Sequence, residues 1–213
     1  MPHVDAEPSI LLAMVPGMGI AASDFHDRGL IAELNRHHWP VNGTVIDPGP
    51  DAYLDHTVEA RMLDAIATAR QGATRVWLAG ISLGCQAILR CVRARPDLVE
   101  GVLMLTPYLA STGLIAAVTR AGGLRPWAHG PHPEDTPEQC LLAWLATATN
   151  LPRILVGHAL RDRFADTAAL LSGILPPNRM IGIDGTHDWE SWTSLWHLML
   201  DRNPFQLQQT AAT

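Results

Sequence analysis

Six short apolar runs recur along the 213-residue chain, at Ile10–Val15, Val41–Ile46, Arg75–Ala79, Gly101–Leu105, Arg153–Val156 and Met180–Ile183. Stretches with helical periodicity separate them, at about Asp24–His37, Thr57–Arg70, Leu83–Arg93, Ala165–Ser172 and Trp189–Leu200. Strands that stay apolar at every position, without polar alternation, suit a sheet buried on both faces. Strand-length runs alternating with helices predict an α/β fold, a mainly parallel sheet of about six strands with helices on both faces. With right-handed crossovers, the expected spatial order is second, first, third, fourth, fifth, sixth. The third helix is bounded at both ends. A glycine turn precedes it, Arg90 and Arg93 complement the dipole of its last turn, and Pro96 stops it.

One connection breaks the rhythm. More than forty residues separate Leu105 from Arg153, far beyond an ordinary loop. Gly122-Gly123 would end a helix at about Leu114–Arg120, and Thr136-Pro137-Glu138-Gln139 is a capping box leading into Cys140–Thr147. The segment 106–150 is therefore expected to be a small helical cap inserted in a single domain that spans residues 1–213. That length buries a sizeable core without disulfides or metal.

Composition narrows the partners. A net charge of −6 disfavours nucleic-acid or membrane-surface binding, since both need a basic face. The apolar run at Ile10–Val15 is too short to span a bilayer, and Asp5 and Glu7 precede it where a secretion signal needs positive charge. Cys85, Cys91 and Cys140 are too few, and odd in number, for a disulfide framework, and none has metal-ligand spacing. A cytoplasmic protein with small buried thiols is expected. No cofactor is implied, because there is no Gly-rich phosphate loop ending in Lys. Pro16-Gly17-Met18-Gly19 also lacks the third glycine and the acid of a dinucleotide site.

The chemistry centres on Gly80-Ile81-Ser82-Leu83-Gly84. A G-x-S-x-G match arises by chance in roughly one in ten chains of this length, so the motif alone decides little. Its position decides more: it follows a buried strand and opens a helix. Such a turn holds the serine in a strained geometry at the sheet edge, and two glycines let strand, turn and helix approach closely. The helix N-terminus offers N–H groups and positive partial charge where an oxyanion would form.

A serine hydroxyl needs a base, and the base an orienting acid. Among ten histidines His187 is preferred, because Asp184-Gly185-Thr186-His187-Asp188-Trp189 is a turn just after the last predicted strand. His3, His26, His37, His38 and His56 are expected to be solvated. His129, His132, His158 and His197 are expected to be structural. Asp162, in the loop after the fifth strand, is the expected acid, with Asp184 as the alternative. Asp166 falls within a helix, and Asp188 adjoins the histidine and should point elsewhere. The order Ser82, Asp162, His187 is nucleophile, acid, base.

With these residues in place, the chain resembles the α/β-hydrolase superfamily over nearly its whole length, beginning at what would be that fold's third strand and lacking its first two. The tail Gly185-Thr186-His187-Asp188-Trp189-Glu190-Ser191-Trp192 is similar to the Gly-Gly-His-Asp-Trp-x-x-Trp ending of small esterase-like members, with Thr186 replacing a glycine. Asp162-Arg163-Phe164 sits where they carry the acid. The resemblance implies an oxyanion hole made by the backbone N–H groups of Leu83 and of Met18, in a loop that opens Pro16-Gly17 instead of His-Gly. A serine disfavours the dehalogenase and dienelactone hydrolase members, which use aspartate and cysteine. The resemblance thus implies a small-molecule carboxylic ester substrate first. An acyl thioesterase with the same triad, or a non-catalytic ligand-binding protein of this fold, are the alternatives. Leu109, Trp127 and Trp144, with Leu114 and Ile115, are candidates to line an acyl pocket, or else simply pack the cap. Arg120, Arg125 and His129 would meet an anionic leaving group, or else face solvent.

Overall fold

Central strands rich in apolar residues need cover on both sides, and the helices supply it. The computed structural model describes residues 9–130 and 136–207. In it β1 (Ile10–Val15), β2 (Val41–Val45), β3 (Arg75–Ile81), β4 (Gly101–Leu105), β5 (Arg153–Ala159) and β6 (Met180–Ile183) form one sheet. Every neighbouring pair is parallel and the order is β2-β1-β3-β4-β5-β6, as the sequence predicts. β3 and β5 run past their predicted ends, to Ile81 and Ala159.

The helices are α1 (Asp24–Asp27), α2 (Leu30–Arg36), α3 (Pro50–Leu54), α4 (Val58–Ala69), α5 (Gly84–Ala94), α6 (Thr112–Arg120), α7 (Leu124–His129), α8 (Pro137–Thr147), α9 (Ala165–Ser172) and α10 (Trp189–Asp201). The single helix expected over Asp24–His37 is two, because Gly29 adopts a left-handed φ of +81° between them. α3 and α7 are short helices that the sequence did not announce, being too brief for a 3.6-residue period to register. Arg90 also departs from expectation. It is buried, and it pairs with Glu59 of α4 through Nε–Oε1 at 2.8 Å and Nη2–Oε2 at 2.7 Å instead of capping a helix end.

Side chains alternate across each strand, so the sheet divides the core in two. Ile10, Leu12 and Met14 of β1 face Phe25, α2 and α10, together with Trp77 and Phe205. Leu11, Ala13 and Val15 face the opposite way, toward the layer that holds α4, α5, α8 and α9. Each fully buried Val, Leu, Ile, Met or Phe among them contributes about 1.5–3 kcal/mol relative to exposure. The connection 106–150 extends this second layer. α8 lies against α5 and α6 against α9, and Thr136 caps α8 in the capping box read from the sequence. Residues 131–135 of that connection, with His132, lie outside the described residues, as does His3.

No helix among the described residues is long and apolar enough to cross a membrane. Cys85 and Cys91 are fully buried on α5, and the Cys85 thiol donates to the Gly80 carbonyl at 3.0 Å. Burial pushes both thiols up, Cys91 to about 12. Cys85 and Cys91 are therefore expected to resist iodoacetamide in the native protein and to react fully in denaturant. Peptide mass spectrometry before and after unfolding checks this. Rapid native labelling of either would contradict the packing of α5.

Candidate active site

In an all-parallel sheet the ends of all strands share one edge, and the loops leaving that edge carry the chemistry. Ser82 follows β3 directly, with a φ of +53°, a left-handed conformation that non-glycine residues rarely adopt. Its N–H donates to Leu105 O at 3.0 Å and its carbonyl accepts from Tyr108 N at 3.1 Å. The end of β4 thus clamps the strained turn on both sides. The flanking glycines are required sterically. A Cβ on Gly80 would sit 2.7 Å from Cys85 N, and one on Gly84 would press into the carbonyls of Val15 and Pro16. Val15 pairs with Gly80 in the β1–β3 register, which brings the loop after β1 alongside. Gly17 there lies so close that a Cβ would approach Ser82 Cβ to 3.0 Å.

Asp162 follows β5 and His187 follows β6. The His187 Nε2 lies 2.9 Å from Ser82 Oγ, and its Nδ1 lies 2.7 Å from Asp162 Oδ2. The second carboxylate oxygen of Asp162 accepts from Phe164 N–H at 2.7 Å, so both oxygens are held and the side chain is only 2% exposed. In the neutral imidazole, a proton on Nδ1 facing the carboxylate leaves Nε2 to accept from the serine hydroxyl. Phe164 and Trp192 meet the ring edge-on from two sides, at 5.0 and 5.2 Å. Trp192 is fixed in turn by its indole N–H, which donates to Thr106 Oγ1 at 2.7 Å.

The competing acids stand elsewhere. Asp184 pairs with Arg161 at 3.1 Å in solvent. Asp188 caps α10, accepting from Ser191 N–H at 2.8 Å and from the Thr186 hydroxyl. Asp166 lies in α9. His197 pairs with Glu33 at 3.2 Å, and His158 is lowered by burial within β5. Among the described residues no group of three or more His, Cys, Asp or Glu stands together as metal ligands.

Ser82 and His187 open into a cavity of about 640 Å³. Its rim and walls include Met18, Ile20, Leu83, Tyr108, Phe164 and Trp192, with Arg163, Thr136, Pro137 and Glu138 around them. Leu83 is the N-cap of α5, where the first N–H groups of a helix have no intrahelical acceptor. Met18 lies in the loop after β1, on the cavity rim, and is 81% exposed. The expected lining residues are placed differently. Leu109 and Trp127 are buried in the core and Trp144 packs against it, none of them on this cavity. They belong to the core on the helix-layer side of the sheet, because the connection joins that layer. His56, expected in solvent, stands on the cavity wall, though exposed. Arg125 and His129 line another cavity of about 710 Å³ beside the start of β5, which contains neither Ser82 nor His187. Sequence reading missed Tyr53, Gln86, Arg90 and Tyr108 as wall residues. Gln86 and Arg90 carried a usable signal, since four-residue spacing sets both on one face of α5 just after Ser82.

The fold has been seen before in proteins of distant sequence. Est1E from Butyrivibrio proteoclasticus superposes with a TM-score of 0.61 at 16% identity, covering 95% of this chain and 92% of its own. A monoacylglycerol lipase from Paleococcus ferrophilus gives 0.61 at 17%, covering 91% and 93%. FphF, a fluorophosphonate-binding serine hydrolase of Staphylococcus aureus, gives 0.60 at 14%, covering 94% and 84%. No family model and no curated protein matches the sequence.

The tight crossing at Gly84 generates a stability prediction. Gly84→Ala is expected to cost about 1–3 kcal/mol as the turn is forced off the β1 carbonyls. Urea unfolding measures it, and an unchanged midpoint would contradict the crossing described.

Proposed function

From the α/β-hydrolase fold that this chain adopts, we propose a serine hydrolase that cleaves a carboxylic ester of a small or medium acyl group through an acyl-serine intermediate. The observation that carries the reading is the unbroken chain Ser82 Oγ–His187–Asp162, at 2.9 and 2.7 Å, opening on a cavity. Ser82 Oγ attacks the ester carbonyl carbon as its proton passes to His187 Nε2. The N–H groups of Leu83 and Met18 stabilise the resulting oxyanion. His187 then gives that proton to the departing alkoxide, and the alcohol leaves. Water adds to the acyl-serine with His187 again as base, which releases the acid and restores the hydroxyl. Asp162 orients the imidazole and stabilises its cationic form. Segment 106–150 serves as the cap of this single-domain site through Tyr108 and the start of α8. A cytoplasmic setting, read from cysteine usage, belongs to the same proposal.

Esterase, lipase and serine hydrolase structures of the same fold support the reaction class, and the cavity volume suits a substrate of modest size. Ser82→Ala is expected to abolish fluorophosphonate labelling and to lower p-nitrophenyl ester turnover by roughly three or more orders of magnitude. His187→Ala should cost nearly as much, and Asp162→Asn less than either. Asp184→Asn should cost little. The three large effects should not add, because the residues act as one unit. Labelling of Ser82→Ala equal to wild type would mean that Ser82 is not the nucleophile.

A further inference from the structure

The sheet edge opposite Ser82, where the parallel strands begin, gathers arginines. Arg153 opens β5, Arg179 closes the 3₁₀ turn Pro177–Arg179 that leads into β6, and Arg202 follows α10. All three line one recess of about 410 Å³, together with Asn178, Asn203 and Gln206. Arg153 and Arg179 also line the neighbouring cavity of about 710 Å³. Arg202 is exposed and the other two are partly exposed, so solvent reaches the cluster.

The hydrogen bonds of these side chains leave their charge unbalanced. Arg153 Nη1 donates to Pro204 O at 3.3 Å and its Nη2 to Gln206 Oε1. Arg202 Nη1 donates to Asn178 O at 3.1 Å. Those acceptors are neutral. The chain has acids in excess, 21 against 15 cations that are all arginine, and six arginines pair with a carboxylate among the described residues. The carbonyl of Glu100 accepts from Arg153 N–H at 3.0 Å, but both carboxylate oxygens of Glu100 go to Arg75 at 2.6 Å. Among the described residues no acid lines either cavity, and Asp201, beside Arg202 in the chain, stays outside both. Burial, and then the charge of Arg179, hold the Arg153 guanidinium below its ordinary value against the opposite pull of Glu100. Like charges thus share one recess in a chain whose net charge is −6.

We propose that this recess binds the phosphate group of a small organic phosphate, with Arg153, Arg179 and Arg202 receiving its oxygens. One carboxylate occupies a single arginine here, as Glu59 does Arg90 and Glu100 does Arg75. A phosphate monoester carries a charge of about −1.5 to −2 and three strong acceptor oxygens, enough for several guanidinium forks. The organic remainder enters the larger cavity, where Leu151, Ile174 and Leu175 offer apolar wall and Thr147 and Thr149 line the same space. A nucleic-acid duplex or an anionic membrane is disfavoured, because the arginines sit in a recess and the molecule as a whole is negative. The site lies away from Ser82 and does not rest on the esterase reading.

Isothermal titration calorimetry and thermal melting at low salt test it, with butyl phosphate, phenyl phosphate, inorganic phosphate and citrate as probes. Wild type should bind at least one organic phosphate saturably, about tenfold more tightly than inorganic phosphate. Arg179→Gln and Arg202→Gln should each weaken that binding about tenfold or more. Arg120→Gln, exposed on α6 and outside both cavities, should leave it unchanged. Without ligand, Arg179→Gln should melt no lower than wild type, since it removes one of several like charges. A lower midpoint would mean that the protein already satisfies Arg179, and would overturn the site. Equal affinity for inorganic phosphate would overturn the organic remainder and make free phosphate the ligand. Tighter binding of citrate than of any phosphate would overturn the phosphate assignment. Binding that survives both arginine variants would overturn the location. Binding of a DNA duplex or of phosphatidylserine vesicles, with none of the small phosphates, would overturn the ligand class. No saturable heat and no rise in melting midpoint with any phosphate would overturn the site altogether.

Discussion

The backbone crossing where β3 turns into α5 beneath the end of β1 is the constraint from which the site follows. Three segments meet there at distances that exclude a Cβ on Gly80 and on Gly84. That crowding leaves the intervening Ser82 a left-handed backbone, held by hydrogen bonds from the end of β4. A residue forced out of the strand path cannot bury its side chain in the sheet, so its hydroxyl emerges at the edge. The same crowding brings the β1 loop against the serine and starts α5 directly behind it. Strain and positioning are here one event.

The other two partners reach the serine through topology. Because every strand runs the same way, loops after β5 and β6 emerge on the edge that β3 supplies. Neither needs a long excursion. What the loops add is restraint. Asp162 is held by Phe164 N–H, and the Asp188 cap starts α10 immediately after the histidine. Phe164 and Trp192 bracket the imidazole between them. A short rigid turn fixes a side chain better than a long one, which is why the acid and base stand three and four residues past their strands.

The strands were legible because most are short runs rich in Val, Ile or Leu, and the order of Ser82, Asp162 and His187 was legible because each follows such a run. The walls of the cavity were not. Leu109, Trp127 and Trp144 are apolar and lie in the segment 106–150, but nothing in one-dimensional spacing separates residues that face a cavity from residues that face α5. Arg90 misled for a related reason. A cation in the last turns of a helix ordinarily serves the dipole, and only the approach of α4 brings Glu59 to it. α3, which carries Tyr53, is too short to leave a periodic trace. Long-range packing therefore decided what local pattern left open.

The two core layers give the site a mechanical character. Ser82 is tied to α5, whose apolar face belongs to one layer, while His187 rides on the start of α10, whose Trp192 and Trp196 belong to the other. The 2.9 Å contact between them is thus a joint across the sheet, like a latch between two separately hung doors. Sagging of either door parts the latch before it leaves its frame. Proton transfer, which tolerates only tenths of an ångström, becomes a gauge of how well the two halves of the interior are seated against one another.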